Sequence, residues 1–246
     1  MNFVLLFLII TGISLAISVS LFLLRKQLKG TYLDQEYIHS SVFSFFTTLY
    51  AFFIGFAIVT LWTAYLHAQA NVTKEADAIL TVHRIAQSTP GTEELRISLI
   101  NYVQSVIEDE WPAMERDSMC EKTARHFNLI WEKFYQLNID PQKGSDIRDN
   151  LAEASRQRLA RAILLKGNLY PPVWVILIFG FVSVVFGLYF LNRQQNLVSV
   201  TFEFMVIFLV LACLYFIHDI DTTYSGFISV EPEVFQKVLV VMKDLR

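Results

Sequence analysis

The chain has 246 residues, 54% of them hydrophobic and only 17% charged, where a typical soluble domain carries about 25% charged residues. A formal net charge of −3 excludes the basic surface that nucleic acid requires. Two cysteines, Cys120 and Cys213, make no disulfide scaffold.

The apolar excess lies in four stretches, each to be weighed against the roughly 20 apolar residues that cross a hydrocarbon core of about 30 Å. Residues 1–24, 41–66 and 167–192 contain no charged side chain, and 197–217 contain one, Glu203. Strand alternation is missing from all four, and lipid accepts only helices or closed barrels. The reading is an all-α, multi-pass protein of the cell membrane, with the lipid bilayer as its first partner. Four transmembrane helices are expected, with a helical extramembrane domain inserted between the second and third. The division is 1–66 (helices 1 and 2), 67–168 (the domain), 169–219 (helices 3 and 4) and 220–246 (a turn and an amphipathic helix). The first run lacks a basic leading region, and its apolar core exceeds that of a secretory signal, so it is expected as a retained helix.

Recurrences of small residues mark faces where membrane helices approach closely. Gly12, Ala16 and Ser20 form one in the first run, and Thr47, Ala51 and Gly55 form another in the second. They predict a packed bundle and contacts between subunits. The second run also carries a stripe of Phe43, Phe46, Tyr50 and Phe53. The stripe is either ordinary lipid-facing and core packing or a hydrophobic constriction that gates a pore by dewetting, with Phe46, Tyr50 and Phe53 as the pore-lining candidates.

No Pro or Gly interrupts residues 66–87, so the second helix is expected to run well beyond its apolar half, to the Pro90-Gly91 punctuation. Thr92 is placed to cap a helix bearing Leu95, Leu99, Tyr102, Val103, Val106 and Ile107, which Pro112 should end at Trp111. "SMCE" (118–121) reads as a capping box opening a helix with Phe127, Ile130, Trp131 and Phe134 on one face. "IDPQKGSD" reads as a turn, followed by a helix over about 145–166. The prolines of "NLYPP" are placed to start the third span. Near the C-terminus, Val234, Phe235, Val238, Val241, Met242 and Leu245 give an amphipathic helix.

Three groups of polar residues call for explanation. Glu203, six residues into the fourth run, is an intramembrane acid by default a functional-site candidate. The competing reading is an interfacial start to the span, with its carboxylate at headgroup level or near Arg193. Glu108, Asp109 and Glu110 precede Trp111; they are either a solvated helix end or, since acids at a helix C-terminus oppose its dipole, a group that wants basic partners, for which Arg158 and Arg161 are the candidates. "IHDIDTTYSG" (217–226) closes the fourth run. There Asp221 either holds a turn through the Thr223 or Tyr224 amides with Gly226 at positive φ, or joins Asp219 in pairing with the arginines before the third span. As a third reading, His218, Asp219 and Asp221 bind a cation.

Arg25, Lys26 and Lys29 place the first loop in the cytoplasm and the large domain outside. Arg156, Arg158, Arg161 and Lys166 pull the opposite way, so two orientations stand. The sequence shows no phosphate loop, metal-ligand spacing or nucleophile elbow, and therefore points to no cofactor and no catalytic residue.

"LYAFFIGFAIVTLWTAY" (49–65), Glu75-Ala76, "NYVQSVIEDEWPAM" (101–114) and the close around Asp221, Gly226 and Pro232 resemble the bestrophin-like family of bacterial and plant membrane proteins, a domain of unknown function. Tyr102, Glu110, Trp111 and Pro112 are the most specific part of that resemblance, which spans residues 42–240. Thr223 departs from the family's usual proline. The resemblance to true bestrophins, pentameric anion channels with four spans, is weaker. It implies a homo-oligomer, by analogy a pentamer, that handles inorganic ions. An ion channel, anion-selective by that analogy, is the first functional reading, and a non-conducting scaffold or sensor whose helical domain binds a partner is the second.

Overall fold

A computed structural model describes residues 3–27, 36–165, 167–191 and 197–244. The side chains of Arg25, Lys26, Lys29, Lys166 and Arg193, which entered the orientation and Glu203 arguments, lie outside the described residues. Among the described residues all regular structure is helical: α1 (Phe3–Gln27), α2 (Glu36–Gln87), α3 (Glu93–Ser105), a π-helical turn (Val106–Glu110), α4 (Trp111–Met114), α5 (Glu121–Tyr135), α6 (Pro141–Ile163), α7 (Pro171–Leu191), α8 (Leu197–Asp221) and α9 (Glu233–Asp244). Among the described residues three helices are long and apolar enough to cross a membrane: Ser40–Gln87, Pro171–Tyr189 and Leu197–Asp221. The described apolar part of α1, Leu8–Leu24, is shorter than that criterion.

The chain forms two compact units. One comprises Met1–Trp62 with Leu169–Asp221, the other Thr63–Asn168 with Thr222–Arg246. At 52 residues α2 is about 78 Å long, and it contributes its apolar half to the first unit and its charged half to the second.

In the first unit, α8 packs on α1 and α7. Gly180 and Gly187 of α7 receive the rings of Tyr50 and Phe43 from α2; a Cβ added at either glycine would overlap the ring. The Tyr50 hydroxyl donates to the Leu177 carbonyl at 2.8 Å. Among the described residues, Gly12, Ala16 and Ser20 of α1 and Ala51 and Gly55 of α2 are exposed. A Cβ at Gly12 or Gly55 meets nothing within 4 Å, and the buried positions of α1 are instead Ser14, Ser18 and Leu21.

In the second unit, a core of Val72, Ala76, Ile79, Val82 and Ala86 from α2 meets Leu95, Leu99 and Val103 from α3, Phe127 and Ile130 from α5, Ile147 and Leu151 from α6, and Phe235 and Val238 from α9. Helix starts differ from expectation in three places. Thr92 precedes α3, but its hydroxyl donates back to the Ala86 and Thr89 carbonyls. The 118–121 capping box does not form: Cys120 holds the N-cap of α5 with no side-chain bond, and the Ser118 hydroxyl donates to Ala113. Helix α6 begins at Pro141, before the expected 145, because Asp140 accepts from the Gln142 and Lys143 amides and Pro141 needs no N–H at that position.

The largest correction concerns Pro112, which does not end the helix at Trp111. Proline lacks the N–H that an α-helix bonds to the i−4 carbonyl, and its ring crowds that carbonyl. The widened π turn Val106–Glu110 accommodates it, with the Trp111 amide donating to Val106 one residue further back than in an α-helix. The helical path then continues through Met114. Such π turns cluster at functional positions, and this one sets Glu110 and Trp111 toward the core.

Candidate functional site: a buried ion-pair network

The face of α2 that carries Val72, Ala76, Ile79 and Val82 also carries Glu75, which is wholly buried. A lone buried carboxylate is untenable without partners. Arg161 of α6, itself buried, supplies them: Nε donates to Glu75 Oε2 at 3.0 Å and Nη2 to Oε1 at 3.0 Å. The planar fork of arginine matches a carboxylate in this bidentate way. The Tyr102 hydroxyl of α3 adds a 2.5 Å bond to Glu75 Oε1.

Glu110, delivered by the π turn, is equally buried. Arg161 Nη2 lies 2.8 Å from its Oε1 and Arg158 Nη2 lies 2.8 Å from its Oε2. The Arg161 contact has ion-pair distance without hydrogen-bond alignment, since Oε1 accepts no hydrogen bond from a described residue. Two guanidinium groups thus balance two carboxylates. Arg161 also sits 5.4 Å from the Trp111 ring centre and 5.9 Å from that of Phe235, and its Nη1 contacts Met114 Sδ at 2.9 Å. These rings satisfy the faces of a cation whose edges are held by carboxylates.

The electrostatics follow. Burial opposes the Arg161 charge, but Glu75 and Glu110 outweigh it and raise its pKa above the ordinary arginine value. Burial, reinforced by the Glu75 charge, lifts the Tyr102 phenol well above its ordinary range, so Tyr102 is a neutral donor at any physiological pH. Trp111 is fixed by its indole N–H to the Val230 carbonyl at 3.2 Å and by edge-on contacts with Tyr224 and Phe235. The network therefore draws α2, α3, the π turn, α6 and the C-terminal segment to one point. It contains no nucleophile, and its chemistry is the fixing of charge.

The expected partners of the acidic stretch, Arg158 and Arg161, are thus found against Glu110. Sequence reasoning did not single out Glu75 or Tyr102 as site residues, although Glu75 lies on a largely apolar helical face, which was the available signal. Asp221 does not take those arginines. Its Oδ1 accepts the Leu169 amide at 2.7 Å and its Oδ2 the Trp174 indole N–H at 3.2 Å, tying the end of α8 to the start of α7. His218 meets the Trp174 ring edge-on, and Asp219 accepts from Tyr215 at 3.3 Å. Gly226 has φ +104°, the left-handed region that favours glycine. Among the described residues no three His, Cys, Asp or Glu converge to hold a metal.

In the first unit Glu203 is 1% exposed, enclosed by neighbouring side chains rather than displayed at a surface. Of the pore-lining candidates, Tyr50 is buried against α7, Phe46 stacks on it at 6.4 Å and Phe53 is 40% exposed.

The bestrophin-like domain family matches residues 11–235, a span that includes Glu75, Tyr102, Glu110, Trp111, Arg158 and Arg161. Two solved variants of a bacterial bestrophin homologue from Klebsiella pneumoniae share the fold, with TM-scores of 0.75 and 0.73, 11% identity, and 97% of this chain aligned to 98% of theirs. A further solved structure, described as a membrane protein, aligns with a TM-score of 0.74 at 11% identity over 97% of each chain. A comparison with curated proteins gives no match. The chain is a membrane protein and belongs to the bestrophin-like family.

Proposed function

We propose that the protein is a homo-oligomeric anion channel of the cell membrane, with α2 facing the pore. The observation that carries the oligomer is the pair of unpacked stripes: Gly12, Ala16 and Ser20 on α1, and Thr47, Ala51 and Gly55 on α2, are small and leave space beside the backbone at both glycines. Small residues mark faces where membrane helices approach closely, and in this reading a second subunit covers them. Membership of the bestrophin-like family supports conduction, and the solved relatives supply the fold. Within α2, Tyr50 is committed to α7 and Phe46 to Tyr50, which leaves Phe53 as the candidate ring for a dewetted constriction.

The test is the mass of the detergent-purified protein, followed by planar-bilayer recording in asymmetric chloride. A closed oligomer with chloride-dependent reversal potentials, and larger currents from Phe53→Ala, is expected. A strict monomer, or silence across salts and pH, would favour the non-conducting scaffold or sensor.

A further inference from the structure

Helices α5 and α6 line a cavity of about 480 Å³ within the second unit, a size at which small-molecule sites are found. Its walls are apolar and aromatic, with Phe127 and Trp131 on one side and Leu159 on the other. Its cationic group is Arg158, accompanied by the neutral polar side chains of Asn128 and Ser155.

Arg158 is the informative member. Its Nη2 is engaged by Glu110, and its guanidinium lies 5.8 Å from the Phe127 ring centre. Its side chain keeps 17% of its surface exposed where it borders the cavity, and carboxylate is the acceptor whose planar geometry fits a guanidinium. Glu110 already balances part of the Arg158 charge, so a monoanion suits the site better than a dianion. The ring faces of Phe127 and Trp131 require an apolar, preferably flat, body behind the charged head. Glu121 also borders the cavity, but it is exposed, which turns an anionic head toward Arg158.

We propose that this cavity binds small monocarboxylic acids with a flat apolar body, the carboxylate on Arg158 and the body against Trp131 and Phe127. Occupancy bears directly on the ion-pair network, because Arg158 holds Glu110 and the Phe127 ring packs at 5.1 Å on Tyr102.

The probe is 2-naphthoate, with the neutral 2-naphthalenemethanol as its control, titrated into the full chain in lipid nanodiscs by calorimetry and by quenching of tryptophan fluorescence. Saturable binding of naphthoate is expected, at least about tenfold tighter than the alcohol, the ratio one charge-assisted hydrogen bond supplies. Asn128→Asp, on an exposed position, should weaken naphthoate about tenfold by like charge and leave the alcohol unchanged. Ala124→Trp should fill the cavity and abolish binding. If that variant fails to fold, Ser155→Trp at an exposed wall position takes its place. Equal affinity for the two probes, binding indifferent to Asn128→Asp, or no saturable binding at millimolar concentration would each overturn the proposal.

Discussion

Arg161 grips Glu75 across 86 positions of sequence, through two 3.0 Å bonds between wholly buried side chains. Removing one partner of such a pair leaves an uncompensated charge, which costs about 3–5 kcal/mol. Arg161→Met should therefore destabilise the protein by that order, since Glu75 loses its fork and Glu110 half its balance. Arg161→Lys keeps the charge but loses the bidentate geometry, and should fall between it and wild type. Glu75→Gln combined with Arg161→Met should cost less than the sum of the two single changes. Denaturation of the purified protein measures all four, and strict additivity would show that the pair is not energetically coupled.

Asp221 is predicted to act through α7. Asp221→Asn removes the charge from two hydrogen bonds and turns an amide N–H₂ toward one of the donors, Leu169 or Trp174. The expected loss is about 1.5–3 kcal/mol. Trp174→Phe should be non-additive with it, by about 0.5 kcal/mol or more. His218→Gln should be nearly silent, because His218 touches only the Trp174 ring edge among these groups. Melts with calcium and with chelator complete the test: a calcium-dependent rise lost in both the Asp221 and His218 variants would reinstate a cation site.

How far these relationships were legible depends on the range of the forces involved. The uncharged runs announced membrane helices because the bilayer penalises each charge locally, whatever its partners. The extension of α2 to Gln87 followed from a stretch without Pro or Gly. Pairing of Glu110 with Arg158 and Arg161 was accessible through charge balance alone. By contrast, the π turn was invisible, because the expectation that Pro112 ends a helix assumes α-helical bonding. The partners of Asp221 were equally hidden: one is a backbone N–H, and both lie in a segment about 50 positions earlier that carries no complementary charge. Glu75 was readable in principle, since the 72, 76, 79, 82 periodicity puts it among buried apolar residues. Its partner 86 positions away was not.

His83 lies on that same face of α2. It is fully buried, and neither ring nitrogen has a hydrogen-bond partner among the described residues. Burial, aided by the Arg96 charge, lowers its pKa below the ordinary 6.5. A base whose folded-state pKa is depressed stays neutral in the fold while the unfolded chain takes up a proton. Its contribution is therefore neutral above about pH 6.5 and becomes a loss of stability as pH falls toward the folded-state pKa, by at most about 1.4 kcal/mol per pH unit. His83→Leu should remove that part of the acid sensitivity and stabilise the protein at pH 5 relative to wild type. Melting temperatures from pH 5 to 8 test this, and parallel pH profiles for the two proteins would contradict it.

The glycines of the first unit divide into two kinds with opposite expected behaviour. At Gly180 the Tyr50 ring occupies the space a Cβ would need, and the Tyr50 hydroxyl is anchored on the Leu177 carbonyl, so the ring has little freedom to retreat. Gly180→Ala should destabilise the chain by about 1–3 kcal/mol, the cost of overpacking. Tyr50→Phe, which keeps the ring and loses the hydroxyl, should cost only about 0.5–1.5 kcal/mol. Tyr50→Leu should relieve Gly180→Ala, so the pair costs less than the two changes summed. Gly55 has nothing within 4 Å of its would-be Cβ. Gly55→Ile should leave the fold of a single chain intact, yet if α2 meets a neighbouring subunit along Thr47, Ala51 and Gly55 it should lower the oligomer's mass. Light scattering and thermal melts on the same preparations separate the two glycines. An oligomer unchanged by Gly55→Ile would move the subunit contact off this face of α2, and a silent Gly180→Ala would mean that Tyr50 does not seat against α7.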